Sequence, residues 1–192
     1  MKKGLLIVFS GPSGVGKGTL LKELMPMKEL KLMYSVSMTT RKPREGEVDG
    51  VNYFFVTKRA FNKAVKEGKL LEHVEYVGNY YGTPKDYVNK KRKEGFNVIL
   101  EIEVQGAKKI IESGEDCLSI FITPPSIKEL ENRIRGRKSE SEEVIKERIK
   151  TAKKELKNLD LYDYTVCNDK VDQAVKDVRK IILKEMKVSM LF

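Results

Sequence analysis

One stretch, Gly11-Pro12-Ser13-Gly14-Val15-Gly16-Lys17-Gly18-Thr19, constrains this chain more than any other feature. It follows a short apolar run, Leu5–Phe9, and opens a helical pattern, Leu20-Leu21-Leu24-Met25. Strand, glycine-rich loop and helix is the setting of a phosphate-binding loop. The glycines let consecutive N–H groups turn inward around an anion. The helix N-terminus adds partial positive charge there, and Lys17 a full one. That chemistry fits a nucleoside triphosphate. One position departs from the usual motif. Gly18 stands where a Ser or Thr hydroxyl ordinarily meets Mg²⁺, and Thr19 comes one step later, so phosphates, water and acidic residues are expected to hold more of the metal.

Four apolar runs read as strands buried on both faces: Leu5–Phe9, Val98–Ile102, Leu118–Ile122 and Tyr164–Cys167. Helical patterns separate them, which predicts βαβ units and a parallel sheet. Ligands of such sheets sit beyond the carboxyl ends of the strands, where the glycine loop also lies. Between Tyr34 and Gly95 the texture changes to short β-prone pieces, Tyr34–Ser37, Tyr53–Val56, Leu70–Val77 and Tyr80–Gly82, with a short helix around Lys58–Glu67. This predicts a small mixed subdomain inserted into the core.

Residues 126–160 form a third region. Ser126–Arg137 reads as a helix with Arg133 and Arg137 on one face. Gly136, Lys138 and Ser139 mark a bend, and Ser139 with Glu142 resembles a capping box. Ile145, Ile149, Ala152, Leu156 and Leu159 then repeat at 4-3-4-3 spacing, too briefly for a coiled coil, so a helix packed on the core is expected. Arg148 lies on the flank of that stripe. A final helix is expected to bury Val171, Ala174, Val175, Val178, Ile181 and Ile182.

With 192 residues, the chain is predicted to form one domain,. No apolar run approaches a membrane span, and Lys2-Lys3 before a run this short does not make a signal peptide. A cytoplasmic protein with no membrane partner is expected. Cys117 and Cys167 sit in apolar runs and read as reduced, buried thiols, with a disulfide the weaker alternative. The single histidine, His73, has no partner at metal-ligand spacing and reads as packed or solvated. The net charge of +10 asks for an anionic partner,. Much of the excess is lysine on solvated helical faces, such as Lys90-Lys91-Arg92-Lys93, without the aromatic interleaving of base stacking. Small phosphorylated substrates satisfy the demand, and nucleic acid is not expected.

After the glycine loop comes Ser35-Val36-Ser37-Met38-Thr39-Thr40-Arg41-Lys42-Pro43-Arg44-Glu45-Gly46-Glu47. Two arginines flank a proline that stiffens the backbone. Their guanidinium forks could hold a monophosphate, with hydroxyls from Tyr53 and Tyr81. Alone, the segment would read as two surface arginines.

Taken together, these motifs resemble the guanylate kinase family. The glycine loop, the Ser-Val-Ser-x-Thr-Thr-Arg-x-Pro-Arg-x-Gly-Glu segment, Asn79-Tyr80-Tyr81-Gly82-Thr83, Ile99-Leu100-Glu101-Ile102-Glu103-Val104-Gln105-Gly106 and Pro124-Pro125-Ser126 follow in family order. The resemblance runs from about Leu5 to Lys184. It implies an α/β fold: a three-layer P-loop core with a parallel sheet (1–33, 96–125 and 161–192), a mixed α/β GMP-binding insertion (34–95), and a helical lid with the helix after it (126–160).

It also implies roles. Gly11 through Thr19, with Asn168 and Asp169 near the adenine, match positions that bind ATP. Arg41, Arg44, Tyr53 and Tyr81 match positions that hold the phosphate of GMP, while Ser37, Glu72 and Thr83 match those that read guanine. A carboxylate at Glu72 makes chemical sense, because it can accept from guanine N1–H and N2–H₂ together. Glu103 matches an acidic GMP contact where Asp is common in the family. Glu101 matches the acidic residue that supports Mg²⁺, through water. Lys17 and the lid arginines Arg133, Arg137 and Arg148 match the catalytic set. A Gly often follows the Arg137 position; here it is Lys138.

The activity implied is phosphoryl transfer from ATP to GMP or dGMP, with Mg²⁺. Two other readings compete. Guanylate-kinase-like scaffold modules bind phosphopeptides but typically have degraded phosphate loops, whereas this one is intact. Another nucleoside monophosphate kinase is opposed by Glu72 with Ser37.

Overall fold

The computed structural model describes residues 3–76, 78–136 and 141–188, with the side chain of Tyr76 left aside. Five strands form a parallel sheet in the order β2-β7-β1-β8-β9: β1 Leu6–Ser10, β2 Leu32–Tyr34, β7 Asn97–Glu101, β8 Leu118–Thr123 and β9 Tyr164–Cys167. The expected strands are present within a residue at each end, and β2 joins them at the edge. Strand β1 is buried along its whole length. Its alternate side chains feed two cores, which is the requirement of a central strand in a three-layer sandwich.

Ile7 and Phe9 point to one core, against Leu20, Leu21 and Leu24 of α1 (Lys17–Leu24) and Val175, Val178 and Ile182 of α7 (Val171–Val188). Leu6 and Val8 point to the other, against Val88 of α3 (Lys85–Lys93) and Ala107 and Ile110 of α4 (Val104–Glu112). Helices α5 (Ile127–Arg135) and α6 (Glu142–Glu155) add Leu130, Ile134, Ile145 and Ala152 to the first core. The 4-3-4-3 stripe is split. Helix α6 ends at Glu155, and a 3₁₀ segment, Leu156–Leu161, carries Leu156 and Leu159 to the second core beside Tyr162. Ser139 lies outside the described residues, and Ser141 occupies the N-cap position of α6 without a side-chain capping hydrogen bond.

Between β2 and β7 the chain makes the mixed insertion. Its four strands run β4-β3-β6-β5: β3 Met38–Thr39, β4 Phe54–Phe55, β5 Leu70–Tyr76 and β6 Asn79–Pro84. Strands β3 and β4 are parallel, and β6 is antiparallel to both β3 and β5. Helix α2 (Lys58–Lys66), capped by Thr57, closes a small core of Phe61, Ala64 and Leu70. Strand formation begins at Met38, so Tyr34–Ser37 is mostly connection between the two sheets. Of the two cysteines, both are free; Cys167 is exposed rather than buried, because its side chain falls on the outward phase of β9. Among the described residues no helix is long and apolar enough to cross a membrane.

Asn97 fastens the start of β7. Its Oδ1 accepts from the Leu5 N–H at 2.7 Å and its Nδ2 donates to the Leu30 carbonyl at 2.7 Å. Asn97 is 3% exposed. Asn97→Leu would strand both backbone groups, at about 1–3 kcal/mol for each fully buried one. A drop in Tm of roughly 6–12 °C is expected by calorimetry; a variant melting with the parent would contradict this account of the sheet edge.

Candidate active site

The carboxyl ends of β1, β7 and β9 deliver the glycine loop, Glu101 and Asn168 to one side of the sheet. The loop is clamped where it turns. Gly11 has φ 148°, and a Cβ there would stand 2.3 Å from the Ile122 carbonyl oxygen of β8. Gly16 is left-handed at φ 96°, and a Cβ would meet Asn168 Nδ2 at 2.6 Å. That amide donates to the Val15 carbonyl at 2.8 Å, so Asn168 braces the loop from beneath. Its side chain is thus turned to the loop and buried, while Asp169 beside it is exposed. Helix α1 starts at Lys17, directing its free N–H groups at the loop,.

Lys17 Nζ donates to the Gly11 carbonyl at 2.6 Å and to that of Pro12 at 3.3 Å. Burial lowers its pKa, while Glu101, Glu155 and Glu103 work to keep it charged. Two of the arginines expected from the family resemblance to belong to a lid reach the loop. Arg148 of α6 donates to Ser13 Oγ at 2.7 Å. Arg133 of α5 is held by Glu129 and donates to the Asn168 carbonyl at 3.0 Å. Arg137, with Lys138 after it, lies outside the described residues. Around these groups opens a cleft of about 710 Å³ that includes Gly11, Ser13, Lys17, Glu101, Glu103, Arg148 and Glu155. The small side of Gly18 faces Glu101: a Cβ there would be 3.8 Å from Oε1. Thr19 is exposed.

The insertion builds a second chamber of about 230 Å³, walled by Ser37, Tyr53, Glu72, Tyr81, Gly106 and others. Tyr53, Glu101, Ile102 and Glu103 line both chambers, so the two adjoin along this wall. Glu72 of β5 is 7% exposed, and Thr83 Oγ1 of β6, fully buried, donates to its Oε1 at 2.8 Å. Burial pushes the Glu72 carboxyl up, against the Thr83 hydrogen bond and the charge of Lys109. A carboxylate held half-satisfied in a narrow pocket is built to accept further donors.

Arg41 stands beside Tyr53, one of the residues that wall this chamber. Its Nη2 donates to Glu47 Oε1 at 2.8 Å, and its guanidinium stands 5.4 Å from the Tyr53 ring centroid. Tyr53 meets Tyr81 edge-on, with centroids 6.0 Å apart. The Arg44 N–H donates to the other oxygen of Glu47. The structure therefore brings Ser37, Tyr53, Glu72 and Tyr81 around one chamber, with Thr83 bonded to Glu72, Arg41 beside Tyr53 and Arg44 on the same loop as Glu47.

Two carboxylates escaped the sequence reading. Glu47 organises the arginine loop; its place three residues after Arg44, in a turn closed by Gly46, was the available signal. Glu155, the last residue of α6, faces the cleft, and only the tertiary fold reveals it. Burial pushes its carboxyl up to about 7, Glu103 adding to the effect and Lys17 opposing it.

The chain is similar to known proteins over nearly its whole length. Residues 3–185 match the family model described as guanylate kinase. A guanylate kinase of Bacillus cereus is 53% identical over 184 residues, covering 96% of this chain and 90% of that protein. One of Listeria innocua is 52% identical over the same span and coverage. The crystal structure of guanylate kinase from Anaplasma phagocytophilum superposes with a TM-score of 0.71 at 32% identity, covering 96% of this chain and 87% of that one. A glycine-loop cleft and an adjoining buried-carboxylate chamber, with relatives matched over nearly their full length, lead to one conclusion: the chain belongs to the guanylate kinase family.

Proposed function

We propose that the chain transfers the γ-phosphoryl group of ATP to GMP, and to dGMP, giving ADP with GDP or dGDP in the cytoplasm with Mg²⁺ as cofactor. The observation that carries this reading is that two chambers of different chemistry adjoin. One has a helix N-terminus, Lys17 and Arg148, which suit a triphosphate. The other has a buried carboxylate for a base and an Arg–Tyr cluster for a monophosphate. They meet at Glu101–Glu103, where a phosphoryl group would pass.

The protein's part is positioning and charge neutralisation. Phosphate oxygens compete for the ammonium protons that Lys17 gives to Gly11 and Pro12. Arg148 and Arg133, each anchored beside the loop, stabilise charge on the transferring group; Arg137 joins them on the strength of the family resemblance. Arg41, Arg44, Tyr53 and Tyr81 hold the GMP phosphate, with Glu47 orienting Arg41. Ser37, Glu72, Thr83 and Glu103 read the base. Asn168 and Asp169 border the ATP site, Asn168 chiefly by bracing the loop.

The donor set fits Mg²⁺ in a limited way. Glu101 and Glu103 supply hard oxygens beside Gly18, but among the described residues no group of three or more His, Cys, Asp or Glu is arranged to cage a metal,. Glu101 would hold the ion through water, and the ion would neutralise phosphate charge.

Initial rates with Mg-ATP and GMP, dGMP, AMP, CMP or UMP test the reading: turnover with the two guanine nucleotides alone supports it, and a preference for another base would overturn it. Lys17→Ala should lower kcat by roughly 10²–10³ while calorimetry finds GMP affinity within about twofold of the parent. Loss of GMP binding would mean the two chambers are assigned backwards.

Glu155 gives a pH signature in the nucleotide-free protein. Its folded pKa is raised above the unfolded value, so its stabilising effect is complete below about pH 4.5 and is lost as pH rises through about 7,. Glu155→Gln should melt with the parent near pH 4.5. At pH 8 it should be more stable by about 1 kcal/mol, after discounting for a half-exposed group. Equal melting at pH 8 would contradict the assignment.

A further inference from the structure

Helix α4 carries a glycine in its first turn, Gly106, where the backbone is right-handed and nothing in its conformation requires one. Glycine weakens a helix relative to alanine through backbone entropy. A buried helical glycine therefore calls for a packing reason. Here the reason is specific. A Cβ on Gly106 would lie 3.1 Å from Glu72 Oε2, 3.5 Å from its Cδ and 3.6 Å from its Cγ. The three nearest atoms all belong to the carboxylate that faces the base chamber.

The same helix grips β5 one residue further on. Lys109 donates to the His73 carbonyl at 2.8 Å, and its charge favours the ionised form of Glu72. Glu72 belongs to the insertion, whereas α4 belongs to the core and starts directly after Glu103. The carboxylate is thus fixed from two bodies: Thr83 of the insertion holds Oε1, and the bare flank of α4 sets the place of Oε2.

Building on the GMP-kinase reading, we infer that Gly106 is a specificity-determining residue of the base chamber. By having no side chain, it sets where the Glu72 carboxylate stands and therefore how its oxygens meet a base with two adjacent N–H donors. It touches Glu72 rather than the reacting atoms, so it is a positioning residue. An added methyl does not fill the chamber outright. At 3.1 Å it moves the carboxylate by a few tenths of an ångström or rotates it, and hydrogen bonds to a fixed donor pair weaken steeply with such shifts.

The test is Gly106→Ala in the full chain. GMP Kd by calorimetry and KM should rise roughly tenfold. The KM for ATP and kcat at saturating GMP should stay within about threefold. Tm should be unchanged or higher, because alanine is the better helix former. A glycine kept only for structure would instead lower Tm and leave the GMP KM alone.

The reciprocal variant guards against simple overpacking. Glu72→Asp withdraws the carboxylate from α4 by one methylene. In that background Gly106→Ala should weaken GMP binding less than about twofold and recover any lost Tm, a non-additive pair. Equal GMP affinity in Gly106→Ala and parent, or an undiminished penalty in the Glu72→Asp background, would overturn the inference. A parent protein that neither binds nor phosphorylates GMP would instead sink the functional reading itself.

Discussion

The fold depends on a loop whose backbone only glycine can follow at its tightest points and which is then locked from several sides. Gly11 passes against β8, Gly16 against Asn168, and Gly14 against Ile134 of α5. The Asn168 amide closes on Val15, and Arg148 closes on Ser13. This clamping explains why β1 lies at the centre of the sheet. Its neighbour β8 and the residue that follows β9 supply the surfaces against which the loop backbone turns. Helices α5 and α6, proposed as the lid region, share the main core through Leu130, Ile134, Ile145 and Ala152. The arginines they carry are presented by packed helices, so their placement is set by the same contacts that stabilise the domain.

The second constraint is a buried carboxylate. Burial pushes the Glu72 carboxyl up, and the Thr83 hydrogen bond from the insertion and the Lys109 charge from the core work against that shift. The proximity of Gly106 to Glu72 makes this chamber a joint product of insertion and core. On the proposed assignment, base reading and phosphate handling would be linked through one short stretch, Glu101 to Gly106.

The parallel core was readable because its strands are continuous apolar runs buried on both faces; the residues proposed for the site could be named because they sit in ordered motifs. Other features were not visible, for physical reasons. Strand β2, Leu32–Tyr34, lies at an edge and is only partly buried, so its pattern is weak. The stripe from Ile145 to Leu159 was periodic, yet its last two members turn to the opposite core after α6 ends. Cys167 looked apolar in sequence but falls on the outward phase of β9. Glu155 and Gly106 acquire meaning only through residues far away in the chain, and no local period encodes such a contact.

The central claim is that guanine is recognised by the Glu72 carboxylate. The direct measurement is kcat/KM for GMP and AMP on the parent and on Glu72→Gln, with ATP affinity and Tm recorded beside them. The amide keeps the shape but sets a donor against a guanine donor. The account expects a fall in GMP kcat/KM of roughly 10³–10⁴-fold, an unchanged ATP affinity and Tm, and AMP still poor in both proteins. A Glu72→Gln enzyme that handles GMP as well as the parent would contradict it and place guanine recognition elsewhere in the cleft.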